Sequence, residues 1–276
     1  RDPARDPGDR VAALELLSLI PPERAGALFA ELLRPREPQE IQAAAVRALG
    51  SLGDETLLAG LLEGWPSYTA LVRRELLSSC FSKPALMERV LERLEKGGIR
   101  PGELDAQHRE ALLKHPSAGV RERSRGALKG KGGAELEALI ETQFAKVSAL
   151  TPDPVAGEKV FFQNCATCHR LHGQGFNVGP NLQSVMGRDK KALLTDLLNP
   201  NAALAPQYQV YIVKTPAQDL VSGIIVADTP AGLTLRRANA EETTVLRKDI
   251  LDLKAWPASM MPEGLENSLS AQNFAD

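Results

Sequence analysis

Residues 161–169 read Phe-Phe-Gln-Asn-Cys-Ala-Thr-Cys-His, and the last five of them decide how the chain is interpreted. Cys165 and Cys168 are three positions apart, so on a helical turn both thiols lie on one side. A Cys-x-x-Cys-His sequence is typical of covalent haem attachment, in which each thiol binds a vinyl group at one edge of the porphyrin. His169 then lies under the ring and can ligate the iron. The pattern predicts one haem c, bound through both cysteines.

The two thiols have three other conceivable uses. A zinc site would need two further ligands at matching spacing, and the remaining cysteine, Cys80, is distant and unpaired. A thioredoxin-like redox pair follows a strand of a βαβ unit, whereas residues 157–164 have the pattern of an amphipathic helix. A structural disulfide between Cys165 and Cys168 stays open as an alternative.

The composition is that of an ordinary globular protein. The chain has 276 residues, of which 43% are hydrophobic and 25% charged, and its net charge is −2. This length allows two domains. Basic and acidic residues are spread over both halves, so neither a nucleic-acid nor an anionic-membrane partner is indicated. No apolar run is long enough to predict a transmembrane helix.

The first ten residues are charged and contain two prolines, unlike a signal peptide. The sequence has no starting Met, and we expect it to be a fragment of a longer protein. Covalent haem attachment is generally completed outside the cytoplasmic membrane. We therefore expect a periplasmic or otherwise exported protein whose signal lies upstream.

Residues 1–150 predict a domain of α-helical repeats. Short apolar-periodic segments alternate with Gly, Pro or polar breaks. Residues 37–50 and 71–80 resemble the first helices of HEAT-type repeats. Because helices this short are marginal in water, stacking in pairs would bury their apolar faces. We predict an α-solenoid, with an irregular helical bundle as the alternative. The predicted helices span residues 8–19, 22–34, 38–50, 54–63, 67–80, 84–97, 103–114, 117–129 and 133–149.

Three side chains of this half could in principle do chemistry. Cys80 lies on an apolar helix face, and we expect it to be a small buried hydrophobe. His108 and His115 have polar neighbours and no second ligand at helical spacing, so we expect both at the surface. We predict no catalytic residue in this half.

Residues 151–276 carry several motifs that resemble a class I cytochrome c. Asp153 and Pro154 form a helix-start signal. Gly-Glu-Lys-Val-Phe at 157–161, the Cys-x-x-Cys-His motif, Gly-Pro-Asn-Leu at 179–182 and Met-Gly-Arg at 186–188 follow in the order of that family. The resemblance implies a mainly α-helical haem domain.

The same resemblance assigns roles to four residues. It implies that Gly157 and Phe161 pack against the last helix, and that the carbonyl of Pro180 orients the ligating imidazole. It also implies that Arg188 binds a haem propionate, since a buried propionate needs a charge-assisted donor. A solvated surface arginine is the alternative for Arg188.

The sixth iron ligand is expected in the sequence Ser-Met-Met-Pro-Glu-Gly-Leu at 259–265, which resembles the methionine loop of these cytochromes. There the ligand directly precedes proline, and proline restricts that residue to an extended backbone. We therefore predict that Met261 ligates the iron, with Met260 as the second choice. His172 is a weaker candidate because it lies three residues past His169 and cannot readily cross the ring.

A β insertion separates the two predicted ligands. Between about 207 and 254, five β-branched runs are separated by turn residues, which predicts a small antiparallel sheet or barrel. The runs are 208–213, 220–226, 233–236, 243–246 and 250–253. This combination resembles the cytochrome c haem-binding domain family named for planctomycetes and verrucomicrobia. That resemblance implies a redox protein or a fused dehydrogenase as partner. The sequence departs from the family pattern at the last helix, which starts near Ser270 and is shorter than expected.

Two axial ligands leave no open coordination position, which favours one-electron transfer over oxygen or peroxide chemistry. A haem enzyme or gas sensor with a displaceable sixth ligand is the main alternative. In a third hypothesis the helical repeats bind the partner and the haem is structural.

Overall fold

Within the described residues, the regular secondary structure of the first half of the chain is helical. The computed structural model describes residues 5–17, 28–29, 31–129, 133–202 and 204–276. Within this part of the chain, no helix has both the length and the apolar character needed to cross a membrane. The helices of the first half are α1 (Pro7–Leu17), α2 (Gln39–Leu52), α3 (Glu55–Glu63), α4 (Ala70–Phe81), α5 (Pro84–Glu95), α6 (Ala106–Leu113), α7 (Ala118–Lys129) and α8 (Gly133–Ser148).

The predicted helices from 38–50 onward are confirmed, with ends that differ by a few residues. The prediction at 8–19 is confirmed up to residue 17, and the rest of it lies outside the described residues, as does most of the predicted helix 22–34. Two helices begin at aspartate caps, where Asp54 accepts a hydrogen bond from the Leu57 amide and Asp105 accepts one from the His108 amide, each at 2.9 Å. Helix α2 ends at Gly53, whose φ of 72° is left-handed.

The helices from α2 to α7 contact one another in a regular order. The pairs α2–α3, α4–α5 and α6–α7 are each in contact. Helix α4 also packs against α2 and α6, while α5 also packs against α3 and α7. Their shared core is apolar, with Ile41, Leu58, Leu76 and Leu86 almost completely buried. This core contains the predicted buried thiol.

Cys80 is fully buried, which confirms its assignment as a small hydrophobe. Burial raises the pKa of this thiol to about 12, so it stays neutral at physiological pH. The surface prediction for His108 is wrong, because only 4% of the residue is exposed. Its Nδ1 lies 2.8 Å from an Asp105 carboxylate oxygen, and its ring meets Phe81 edge-on. The helix-capping aspartate thus also partners the imidazole, which allows a polar ring to be buried. His115 is partly exposed.

The second half combines short helices with the predicted sheet. The helices are α9 (Pro154–Asn164), α10 (Lys190–Leu198) and α11 (Ala271–Ala275). A small hairpin joins β1 (Arg170–Leu171) and β2 (Gln174–Gly175). The sheet contains β3 (Val210–Lys214), β4 (Leu220–Asp228), β5 (Gly232–Arg236), β6 (Glu242–Leu246) and β7 (Asp252–Ala255). All neighbouring strands are antiparallel in the order β6-β5-β4-β3-β7, so the insertion is an open sheet.

The two faces of this sheet have different neighbours. Tyr211 and Val213 lie on one face, in an apolar cluster with Leu235. Val210 and Ile224 lie on the other face. A β-bulge between Ile225 and Ala227 shifts the register of β4, so that Asp228 pairs with Leu233 and joins the face of Tyr211.

The face that carries Tyr211 and Asp228 is joined to the helical half. The Ala70 amide, at the start of α4, donates a hydrogen bond to the Tyr211 hydroxyl oxygen at 2.6 Å. The Gln39 amide, at the start of α2, donates to Asp228 at 3.2 Å. Asp228 also forms an ion pair with Arg247. These contacts hold the sheet against the first turns of two helices.

Helix α8 packs on the second half of the chain. Ile140 is buried against Leu194 and Leu198 of α10, and Phe274 of α11 packs on the same cluster. The last helix of the predicted repeat domain therefore shares its apolar core with residues of the predicted haem domain.

Candidate haem-attachment site

Helix α9 brings the motif into place. Its start is capped by Asp153, which accepts hydrogen bonds from the amides of Val155 at 2.9 Å and Ala156 at 3.4 Å. A Cβ on Gly157 would lie 2.3 Å from the backbone oxygen of Asp276, the residue after α11. Helix α9 therefore approaches this backbone so closely that no side chain fits at position 157. The close packing of Gly157 against the last helix is thus confirmed, even though α11 is short.

The two cysteines lie on a single turn at the end of α9. The Cys165 amide donates to the Phe161 carbonyl at 2.8 Å, and the His169 amide donates to the Cys165 carbonyl at 2.8 Å. Both thiols are free and partly buried. Burial raises the pKa of the Cys165 thiol, and the neighbouring Cys168 adds to this rise. Both thiols are thus free to take part in covalent attachment.

The imidazole of His169 has one ring nitrogen engaged. Its Nδ1 lies 2.8 Å from the carbonyl oxygen of Pro180. Because a carbonyl only accepts hydrogen bonds, Nδ1 carries the proton and Nε2 is left with a free lone pair. This is the arrangement in which a second ring N–H fixes the plane of a metal-ligating histidine. The role of Pro180 toward an iron ligand stays a prediction.

Two glycines make room around this histidine. A Cβ on Gly179 would lie 2.5 Å from Cε1 of the His169 ring, so only glycine fits there without a shift. Gly175, at the end of β2, has a φ of 84°, and a Cβ on it would lie 2.2 Å from the His169 carbonyl oxygen. The sequence analysis placed Gly179 in a motif but missed Gly175, for which its position in a short Gly-Gln-Gly turn was the available signal.

Two contacts from the sheet to this segment were also missed. The Asn239 amide donates to the Thr167 carbonyl at 2.9 Å, between the two cysteines. Arg236 donates to the Asn177 carbonyl at 3.1 Å. No local pattern marks either residue, because both lie some sixty residues or more beyond the segment that they contact.

The two candidate methionines differ in their surroundings. Met260 packs on the apolar cluster of Val178, Val210 and Ile224, which Cys168 also contacts. Met261 is partly buried, and its amide donates to the Ser259 hydroxyl at 3.1 Å. Met261 and Met260 thus both lie in one loop, and the choice between them as iron ligand stays a prediction.

The other candidate side chains are at the surface. Arg188 is exposed and forms an ion pair with Asp196. For the predicted contact with a propionate, Arg188 would have to leave Asp196 and bind the propionate in its place. His172 is exposed in the β1–β2 turn, with a φ of 48°.

The residues of this segment fit a covalently bound haem. Among the described residues, no group of three or more His, Cys, Asp and Glu side chains could hold a metal ion by itself. The donor set instead consists of two free thiols on one turn and one imidazole with a free Nε2. Phe162 and Phe176 flank the motif, and each is 42% exposed, which leaves apolar surface that a porphyrin could cover.

The sequence model of the family "Cytochrome c" matches residues 154–222. The chain contains a cytochrome c domain. A cytochrome c of Ginkgo biloba is 51% identical over 37 residues, which are 13% of this chain and 33% of that protein. The chain thus matches about a third of the length of this relative. The family match covers the haem-attachment motif and the Gly-Pro-Asn-Leu segment of the cytochrome c domain, and it ends inside β4. Most of the sheet and the methionine loop lie beyond it.

Proposed function

We propose that this chain is an electron-transfer module with one haem c, attached through Cys165 and Cys168 and ligated by His169 and Met261. One observation carries the proposal: the imidazole of His169 is held by the Pro180 carbonyl at 2.8 Å, beside two free thiols in a cytochrome c domain. A haem iron with His and Met ligands exchanges single electrons at a raised reduction potential.

Each residue of the segment has a defined task in this proposal. The cysteine sulfurs tether the porphyrin edge, which fixes its position over His169. The hydrogen bond from Nδ1 to the Pro180 carbonyl sets the ring plane and increases the basicity of Nε2. Gly179 leaves the space that the imidazole needs. Arg188 neutralises a propionate in place of its present partner Asp196.

Spectra of the full chain, matured by a haem-attachment system, test this proposal. We expect a pyridine haemochrome spectrum with one haem per chain and a mass increase of one porphyrin. Cys165→Ser and Cys168→Ser should weaken or abolish covalent attachment. Cys80→Ser is the matched control, because this cysteine is buried in the helical half and should not affect the haem. Properly matured protein without a porphyrin mass would refute the proposal.

The choice of Met261 as sixth ligand is supported by the following proline, which restricts Met261 to an extended backbone. Met261→Ala should give a high-spin ferric spectrum and rapid binding of carbon monoxide to the reduced protein. Met260→Ala should keep the low-spin spectrum. The reverse result would assign the ligand to Met260.

A haem enzyme or gas sensor is the second candidate, favoured by the incomplete burial of Met261. In that case carbon monoxide would bind the unmodified reduced protein at once, and peroxidase turnover would be measurable. An unmodified protein that excludes both carbon monoxide and cyanide leaves electron transfer as the function.

The wider setting of the module is part of the same proposal. The helical half is a HEAT-like α-solenoid, supported by the contacts that α4 and α5 make with the helix pairs before and after theirs. The cytochrome c domain belongs to the family named for planctomycetes and verrucomicrobia, supported by the inserted sheet. Its partner is a redox protein or a fused dehydrogenase, in the periplasm or another exported location. Electron transfer from a candidate dehydrogenase, followed by stopped-flow absorbance, would test the partner.

A further inference from the structure

We infer that Arg236 and Asn239, in the inserted sheet, are positioning residues that hold the haem-attachment segment in its ligating shape. This inference rests on the proposed function and names residues outside the segment that matches the cytochrome c family. Both residues lie near the turn between β5 and β6.

Arg236 reaches across from the end of β5. Its Nη1 donates to the Asn177 carbonyl at 3.1 Å. Its Nε and Nη2 donate to one carboxylate oxygen of Glu242 at 2.9 and 2.7 Å, which fixes the direction of the guanidinium. Asn177 begins the run through Val178 to Pro180 that holds the His169 ring. A charge-assisted donor therefore fixes one end of that run.

Asn239 contacts the other part of the segment. Its amide donates to the carbonyl of Thr167, the residue between the two cysteine positions. Asn239 has a φ of 58°, and the next residue, Ala240, has a φ of 56°. Left-handed conformations are unfavourable for alanine and persist where the surroundings determine them. In this turn, the Asn239 amide contacts the Thr167 carbonyl, and Ala240 packs on the apolar cluster that Cys168 also contacts.

The same face of the sheet also packs on the segment. Val210 and Ile224 form an apolar cluster with Val178, and Cys168 packs against it. Ile224 pairs with Arg236 across β4 and β5, so the apolar contact and the hydrogen bond to Asn177 come from one face. The hydrogen bonds to the Thr167 and Asn177 carbonyls, together with this apolar cluster, thus fix both parts of the haem-attachment segment relative to the sheet.

The test compares variants of the full, haem-loaded chain. Arg236→Met should shift the reduction potential, and it should raise amide exchange at Val178 and Gly179 roughly tenfold, because one charge-assisted hydrogen bond is lost. Arg236→Lys keeps a donor and should partly restore both properties. Arg237→Met is the matched control, since the Arg237 side chain pairs at 3.8 Å with exposed Glu241. A purely structural role would change the unfolding midpoint and leave the reduction potential unaltered.

Asn239 is tested by a pair of variants. Asn239→Val opposes the left-handed backbone and should lower the haem content and speed exchange of the residue 239 amide, while Asn239→Gly should behave as the parent. If Asn239→Val does not fold, the reduction potential and amide exchange of Arg236→Met still test the inference. Equal potentials and equal exchange rates in Arg236→Met and Arg237→Met would overturn the inference. A parent protein without covalent haem would refute the proposed function instead, and the exchange rates of the same variants would then decide the positioning role alone.

Discussion

Replacing Gly179 with alanine should displace the imidazole of His169. The new Cβ would lie 2.5 Å from Cε1, 2.9 Å from Nδ1 and 3.0 Å from Nε2 of that ring. Ordinary carbon contacts lie near 3.5–4.0 Å, so the ring or the backbone must move by about 1 Å. The ring cannot move by that amount and keep its 2.8 Å hydrogen bond to Pro180.

The cost of this displacement follows from the contacts. Overpacking of a filled site costs about 1–3 kcal/mol, and loss of the hydrogen bond removes a further contribution of about 1 kcal/mol. Since each 1.4 kcal/mol is a factor of ten in an equilibrium constant, the ratio of ligated to unligated His169 should fall at least roughly tenfold. The cysteines are unaffected, so the haem should remain covalently bound.

Absorption spectra and redox titrations of the haem-loaded variant measure this effect. Gly179→Ala should show a mixed or high-spin spectrum with an altered reduction potential. Gly187→Ala is the matched control, because a Cβ at Gly187 has no atom within 4 Å and the residue lies in the same loop region. If both variants retain the spectrum and potential of the parent protein, the reasoning about the His169 ring is wrong.

Two further substitutions and one pH dependence test the stability of the chain. Gly157→Ala should lower the urea midpoint by the equivalent of about 1–3 kcal/mol, because its Cβ would lie 2.3 Å from the Asp276 oxygen. Glu103→Gln leaves Arg73, only 4% exposed, without its counter-charge, and should destabilise the chain by about 3–5 kcal/mol. Burial opposes the charge of Glu103, but Arg73 and Arg100 hold its pKa below the usual carboxyl value. Its contribution to stability is therefore complete above the usual carboxyl pKa and is lost as the pH falls from there through the lowered pKa. Cys80 contributes stability that is complete below pH 9.0 and is lost as the pH rises toward about 12, roughly 4 kcal/mol in all.

Each of these predictions has a control measured by urea unfolding. Gly126→Ala lies in α7 with no atom near its Cβ and should be neutral or stabilising, so a Gly157→Ala midpoint that matches it would contradict the predicted clash. For Glu103→Gln, an unchanged midpoint at neutral pH, or the same acid dependence as the parent, would argue against a stabilising charge pair. Cys80→Ala should lose part of the alkaline destabilisation, and an identical slope above pH 9.0 would contradict the assignment.

Local signals in the sequence predicted what depends on neighbours along the chain. The helix caps at Asp153 and Pro154 were readable because capping involves residues within one turn. The five strands were readable from β-branched runs between turns. The haem-attachment motif was readable from the spacing of two cysteines and a histidine, which is set by a single helical turn, and the cytochrome c domain from the resemblance of this motif and its flanking motifs to that family.

Contacts between distant segments were not predictable in this way. His108 is buried because Phe81, in an earlier helix, covers its ring, and the local polarity around His108 gave no indication of that. Arg236 and Asn239 contact the haem-attachment segment only after the sheet has folded. The bulge in β4 that turns Asp228 toward the helical half depends on pairing with β5.

The packing of α8 limits how the molecule can be divided. Ile140 covers Leu194 and Leu198, and Phe274 rests on the same cluster. A truncation that starts at residue 151 would strip this cover and loosen α11, on which the tight approach at Gly157 depends. A fragment of the second half intended for spectroscopy or crystallisation should therefore start before Gly133 and keep all of α8. If the helical half is removed, the cut should fall between α7 and α8.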